Sequence, residues 1–381
     1  MNAHLIIDSL QPEDRLILSC LQQQKNILKI NIDEELLIHR LNYHHVSCIV
    51  YQHLMNINSL EIFSPQTQTQ LKEHYYLNIS RNLIISHLIK KISRILTKNN
   101  IEVITLKGGM FIELFSNYAL VREMSDLDIM VKSTELDKAL DVLFASGFKD
   151  CENAIEKPSW YSRIYENAIT LYSSQPGTSD IVIELHWQLF GHILNNTYWS
   201  EQDLWERAKY CSDKNIYYLD PIDVLLHLCA HQCNNLNIYL YGLVDIAQVL
   251  NTWSAQIDWL EVFYRAKSQR LLLHLVNMLR LVNELLNIPF PQEYFALFQF
   301  YEHQAEPGYK LLLERLFLKE ATESNYVSLS IEKVFRRLEY SNFWQLLWYG
   351  YIKLFIFSLG RFFKLGSLIR SFSYYRSRVS K

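Results

Sequence analysis

Two acids one residue apart, Asp126 and Asp128 in SDLDIMV, and a third acid followed two residues later by a histidine, Glu184 and His186 in DIVIELHW, are the residues best suited to chemistry. Both segments alternate with the period of two that a β-strand imposes. Asp126 and Asp128 therefore share one face of their strand, with Leu127 and Ile129 on the other. In the second strand Val182, Glu184 and His186 share a face, opposite Ile183, Leu185 and Trp187. Carboxylates this close repel unless a cation or a basic side chain sits between them, and hard oxygen ligands suit magnesium. Asp126 and Asp128, with Glu184 as a third ligand, are thus candidates to hold Mg²⁺ or Mn²⁺, while a solvated strand edge is the alternative that a D-x-D alone leaves open. His186 is expected to donate to a phosphate, to move a proton, or to order Glu184 through a hydrogen bond.

Upstream, Ile101 to Leu106 reads as a strand, followed by Lys107, Gly108 and Gly109 and a helix starting near Met110. The two glycines are the only adjacent pair among the ten in the chain. Glycine lets a backbone approach a ligand closely, and a helix N-terminus offers unpaired N–H groups and a positive dipole to phosphate. Lys107 and Arg122 add cationic donors for phosphate oxygens. The bland alternatives are a tight strand-to-helix turn and a surface cation.

The run ITLKGGMFIELFSNYALVREMSDLDIMV, followed by IVIELHW, resembles the uncharacterised nucleotidyltransferase-like family of the polymerase-beta-type superfamily. The resemblance lies in Leu106-Lys107-Gly108, in Arg122 followed after three residues by Asp126-Leu127-Asp128, and in Glu184-Leu185-His186-Trp187, in that order. It covers roughly residues 80 to 260. It implies a minimal nucleotidyltransferase fold: a short mixed sheet, a glycine turn (Gly108 and Gly109) for a triphosphate, and three carboxylates for metal. Two departures stand out: no serine hydroxyl follows the turn, and the third acid is Glu184 rather than Asp. The implied activity is Mg²⁺-dependent transfer of a nucleoside monophosphate from a nucleoside triphosphate, ATP among the candidates, to a hydroxyl or similar group on a small molecule, peptide or protein. Pyrophosphate leaves. The alternative is a catalytically silent nucleotide- or peptide-binding accessory protein on the same fold. The resemblance also extends through LVDIAQVL, where His231 and Asp245 are expected to line the cleft opposite the sheet. Asp245 is the candidate general base, and a buried hydrogen-bonded acid is its bland reading.

The elements that must position these groups are legible from periodicity. Residues 1–98 read as an N-terminal helical region, because apolar positions recur at helical spacing up to the break at Asn99-Asn100. Residues 99–200 mix short apolar strands with helices and form the expected α/β core. Helical patterns return in a C-terminal helical domain at 201–339. The fold class is therefore α+β, mostly helical, with a minimal mixed β-sheet core flanked by helical regions. Within HLCAHQC, His227 and His231 share a helical stripe that Cys229 and Cys233 do not, so core packing is expected there rather than zinc.

Hydrophobic content of 49% with 10 Gly and 8 Pro describes a well-packed globule. MNAHLIIDSL lacks the basic start and apolar run of a signal peptide, and six cysteines in so long a chain read as reduced thiols, so a cytoplasmic location is expected. After Glu339 no acid occurs, and the tail carries Lys353, Arg361, Lys364, Arg370, Arg376, Arg378 and Lys381. The segment 340–381 thus sets an aromatic, apolar stretch beside clustered cations. It fits a buried helix with a basic tail, or a helix on an anionic membrane surface at the inner face of the membrane, or a docking helix for a partner protein. A membrane span is disfavoured, since Lys353 falls mid-way through only 18 apolar residues. The acidic remainder of the chain argues against broad binding of nucleic acid.

Overall fold

The long helix expected before Asn99 forms as a single element, α4 (Pro65–Lys98). Pro65 occupies its first turn and the Ser64 hydroxyl accepts from the Thr67 N–H, so its start is fixed by both backbone and side chain. Leu71, Tyr75, Asn78, Asn82, Ile85, Ile89, Ile92 and Leu96 recur at three- and four-residue intervals along one buried stripe. The C-terminal half of that stripe packs on the sheet. Ile85, Leu88, Ile89, Ile92 and Leu96 share a core with Leu127, Ile129, Ile183 and Leu185.

In the computed structural model the described residues are 10–26, 31–150, 157–158, 163, 166–174, 178, 180–190, 200–234, 238–289, 291 and 294–317. Helices α1 (Pro12–Leu21), α2 (Glu34–His44) and α3 (Ser47–Asn56) precede α4. Next come β1 (Ile104–Thr105), α5 (Lys107–Leu114), α6 (Ser116–Ala119), β2 (Asp126–Met130), α7 (Leu136–Ala145), β3 (Phe148–Asp150), β4 (Ala168–Ser173) and β5 (Val182–His186). Then α8 (Glu201–Arg207), β6 (Lys209–Cys211) and β7 (Ile216–Tyr218) lead into α9 (Pro221–Asn234), α10 (Leu240–Trp253), α11 (Trp259–Ser268), α12 (Leu272–Leu286) and α13 (Phe295–Phe317). The tail beyond Phe317, with the expected apolar and basic segment, lies outside the described residues, and within them no helix is long and apolar enough to cross a membrane.

The strands form one mixed sheet in the order β3-β4-β5-β2-β1-β7-β6. At its centre β2 and β5 run parallel, with Asp126 opposite Val182, Asp128 opposite Glu184 and Met130 opposite His186. That register places Leu127, Ile129, Ile183 and Leu185 on the face covered by α4 and α7, where Leu136, Leu140 and Leu143 complete the core. Asp126, Asp128, Glu184 and His186 are left on the other face. A one-residue slip would bury the acids and expose the apolar set, so hydrophobic burial itself specifies this pairing.

The α+β, mostly helical class with a mixed sheet is what the structure shows, and three details differ from the pattern reading. The helix expected from near Met110 divides at Phe115 into α5 and α6. In the C-terminal helical region the stretch from Ile257 to Leu286 divides at Gln269-Arg270, where Arg270 adopts φ 58°. Strands β6 and β7, past residue 200, extend the sheet through the parallel pairing of Ile104 with Tyr217. Their sequences, KYC and IYY, are too short to show a period.

Candidate functional site

Strand β1 pairs antiparallel with β2, and the Leu106 N–H continues that ladder to the Asp128 carbonyl at 3.0 Å. The next residue, Lys107, opens α5 with φ 41°, in the left-handed region that a side chain with a Cβ rarely adopts. Holding it there costs on the order of 1–2 kcal/mol, which the flanking strand and helix must offset. The turn directs the Lys107 ammonium to Asp128, with Nζ 2.8 Å from Oδ1. The sharp bend therefore falls on the lysine rather than on the glycines after it.

Those glycines serve close packing. A Cβ at Gly108 would stand 2.8 Å from Met124 Sδ, and one at Gly109 would stand 2.8 Å from Leu127 Cδ1 and 2.9 Å from Thr105 Cγ2. Their lack of side chains lets the first turn of α5 lie against β1 and β2, which brings the helix N-terminus beside the acid-bearing face. Gly109→Ala is expected to cost about 1–3 kcal/mol in overpacking, of which better helix propensity returns at most about 1 kcal/mol. A lowered urea midpoint with an unchanged slope is the expected reading. An unchanged midpoint would mean that α5 shifts freely on the sheet.

Asp128 is the hub. It is 5% exposed, and besides Lys107 it accepts a hydrogen bond from His186 Nε2 at 2.9 Å. His186 Nε2 also lies 3.6 Å from Glu184 Oε2. Its other nitrogen, Nδ1, is 3.1 Å from the Asn167 amide, which steers Nε2 toward the acids. Ligand atoms of Asp128, Glu184 and His186 lie within 4.8 Å of one another, close enough to hold a metal ion. Asp126, at the start of β2, is partly exposed and receives the Ser125 hydroxyl at 3.2 Å.

The electrostatics follow from this crowding. Burial works against an ionised Asp128, but the Lys107 charge and the His186 hydrogen bond hold its carboxyl well below the usual range. Burial likewise opposes charge on Lys107. The negative charges of Asp128, then Glu184, then Asp126 outweigh it and raise the ammonium pKa. For His186 burial favours the neutral ring, yet hydrogen bonds to Asp128 and Glu184 raise its pKa above the ordinary value. All three acids thus act on one ammonium. Three carboxylates against one lysine and one histidine leave the cleft anionic, with a donor set that accepts a divalent cation.

The helical half contributes residues of two kinds. From α9, His227 and His231 sense the charges of Lys107, Asp128 and His186. Burial, followed by Lys107, pushes His227 down to about 3 and His231 well below its ordinary value, so both imidazoles are neutral near pH 7. Cys229 and Cys233 are buried and outside any disulfide. Asp245 on α10, expected as a general base, and Arg122, expected as a phosphate donor, are brought to each other. Arg122 Nε and Nη2 donate to Asp245 Oδ1 and Oδ2 at 2.8 and 2.9 Å, and Tyr118 Oη donates to Oδ1 at 2.6 Å. Arg122 also donates to the Glu123 carbonyl and lies under the Tyr241 ring, 4.2 Å from its centroid. Bidentate pairing of this kind occupies both carboxylate oxygens and much of the guanidinium fork. The bland reading of Asp245, a buried hydrogen-bonded acid, matches this geometry.

Two supporting residues lie outside the motifs. Asn167 sits just before β4 with no motif around it, and the HLCAHQC segment that holds His227 reads as core packing. Neither carries a local signal, because each reaches the site through a fold-dependent juxtaposition.

A sequence model of the family described as uncharacterised nucleotidyltransferase matches residues 30–287. The match runs from before α2 to the end of α12, wider on both sides than the motif-bearing segment. No curated protein and no solved structure matches the chain. With well over half its length matched, and with acids and lysine gathered at the helix start after β1, this chain belongs to the uncharacterised nucleotidyltransferase family.

Proposed function

We propose that the chain transfers a nucleoside monophosphate from a nucleoside triphosphate to a hydroxyl or similar acceptor, with Mg²⁺ held by Asp126, Asp128 and Glu184. The observation that carries this reading is the cluster of Asp128, Glu184 and His186, with ligand atoms within 4.8 Å of one another, beside the Lys107 ammonium at the N-terminus of α5; Asp126 lies two residues before Asp128 on the same strand face. When bound, the cation would neutralise phosphate charge and activate the acceptor oxygen. Lys107 then exchanges its 2.8 Å contact with Asp128 for phosphate oxygens of the substrate. The first N–H groups of α5 point at the same anion. His186, held between Asp128 and Asn167, keeps the Asp128 carboxylate in a single orientation. Arg122 and Asp245 act as a strut that ties the segment before β2 to α10.

The test is pyrophosphate release from ATP, GTP, CTP and UTP, with and without Mg²⁺ and with cell extract as acceptor source. Mg²⁺-dependent release together with labelled product from at least one nucleotide is expected. Nucleotide binding with no release and no labelled product would favour the accessory-protein reading instead.

A further inference from the structure

We propose that Cys48, His74 and Glu123 form a second metal site, separate from the acidic cluster on the sheet, and that it takes Zn²⁺. Three elements supply it: α3 gives Cys48, α4 gives His74, and the segment entering β2 gives Glu123. Their ligand atoms all lie within 4.8 Å of one another. His74 Nε2 is already 3.1 Å from Glu123 Oε2. Tetrahedral zinc with bonds of about 2.0–2.3 Å sets its donors roughly 3.3–3.8 Å apart, so the cluster closes on an ion with movements of about 1 Å or less.

The donor chemistry separates this site from the first. A thiolate, an imidazole and a carboxylate form a mixed set that suits zinc, whereas oxygen ligands suit magnesium. Glu123 is also pre-positioned. Its Oε1 accepts the Cys48 backbone N–H at 2.9 Å, which leaves Oε2 turned toward His74. Cys48 is fully buried while the His74 side chain is 43% exposed, so the third ligand provides an entry path and a fourth position open to water. Zinc binding replaces the direct His74–Glu123 hydrogen bond. The thiol proton leaves to solvent, as does any proton on His74 Nε2, and Sγ, Nε2 and Oε2 each donate an electron pair to the ion.

Glu123 follows Arg122 directly and precedes Asp126 by three residues. An ion here would fasten α3 and α4 to the chain segment that delivers the acid strand.

Cobalt substitution on the full-length protein tests this. After removal of metal with a chelator, Co²⁺ is titrated and the near-ultraviolet thiolate-to-cobalt charge-transfer band is read, followed by back-titration with Zn²⁺. We expect the band to saturate at one equivalent per chain, to be bleached by Zn²⁺, and to be absent in Cys48→Ser. In His74→Ala, at a half-exposed position, Co²⁺ affinity should fall at least tenfold. The band should persist in Asp128→Asn, whose lesion lies at the other site. No thiolate band in the wild type, a band that survives Cys48→Ser, or unchanged Co²⁺ affinity in His74→Ala would each overturn the proposal. The His74 variant decides the matter if Cys48→Ser does not fold.

Discussion

Asp128→Asn is expected to lower the rate of nucleotidyl transfer by about 10³-fold or more, while leaving the protein folded. The reasoning starts from charge. Lys107 and His186 together hold the Asp128 carboxyl well below the usual range. Both also donate to it, at 2.8 and 2.9 Å. Catalysis of phosphoryl transfer is mostly positioning and charge neutralisation, so removing a ligand charge acts on the transition state directly. Three orders of magnitude correspond to about 4 kcal/mol of barrier. The amide preserves size and can still accept from Lys107 Nζ, and Glu184 and Asp126 still act on that ammonium, so stability should fall by less than at a pair with a single acid while the rate falls steeply. Single-turnover rates with saturating nucleotide and Mg²⁺, beside thermal unfolding of the same preparation, separate the two effects. A variant that retains a tenth or more of the wild-type rate would remove Asp128 from the chemistry.

The largest stability effect is expected at Asp245. Asp245→Ala leaves the Arg122 guanidinium buried at 7% exposure without its bidentate partner, and leaves the Tyr118 hydroxyl without its acceptor. Breaking a buried ion pair from one side costs about 3–5 kcal/mol, because the remaining charge cannot be hydrated. At about 1 °C per kcal/mol for a chain of this length, from an unfolding entropy of ~2.1 cal/mol/K per residue, the melting temperature should fall by about 4–6 °C. Replacing both partners, as Arg122→Met with Asp245→Leu, should recover much of that loss, since the desolvation penalty is then removed along with the attraction. Denaturation of the two single variants and the double variant measures this. If Asp245 instead acted as a general base, Asp245→Asn would depress the rate with little change in stability, the opposite pattern.

These two acids show what a linear pattern can and cannot resolve. Asp126, Asp128, Glu184 and His186 were legible because strand alternation has a period of exclusively two residues, and any strand carrying an apolar set on one face must present the remainder on the other. The core that forces this, Leu127 and Ile129 against α4, is visible in the same few residues. The function of Gly108 and Gly109 was only half legible. That the helix starts close to the site follows from the glycines, whereas the reason, space for Met124, Leu127 and Thr105, depends on side chains brought in by folding.

By itself the sequence determined the α+β class, the boundaries of β2 and β5 within a residue or two, the shared face of the acids, and a strand-to-helix turn that carries a lysine. All of these rest on interactions between neighbours in the chain, where spacing is geometry. Tertiary structure alone decided that Lys107 lies among the acids, that Arg122 faces Asp245 across 123 residues, that Asn167 steers His186, and that Cys48 meets His74 and Glu123. The physical reason is that burial and charge pairing at these places depend on how helices pack on the sheet. That packing is set by the summed contacts of whole apolar faces, and no short window of residues contains it.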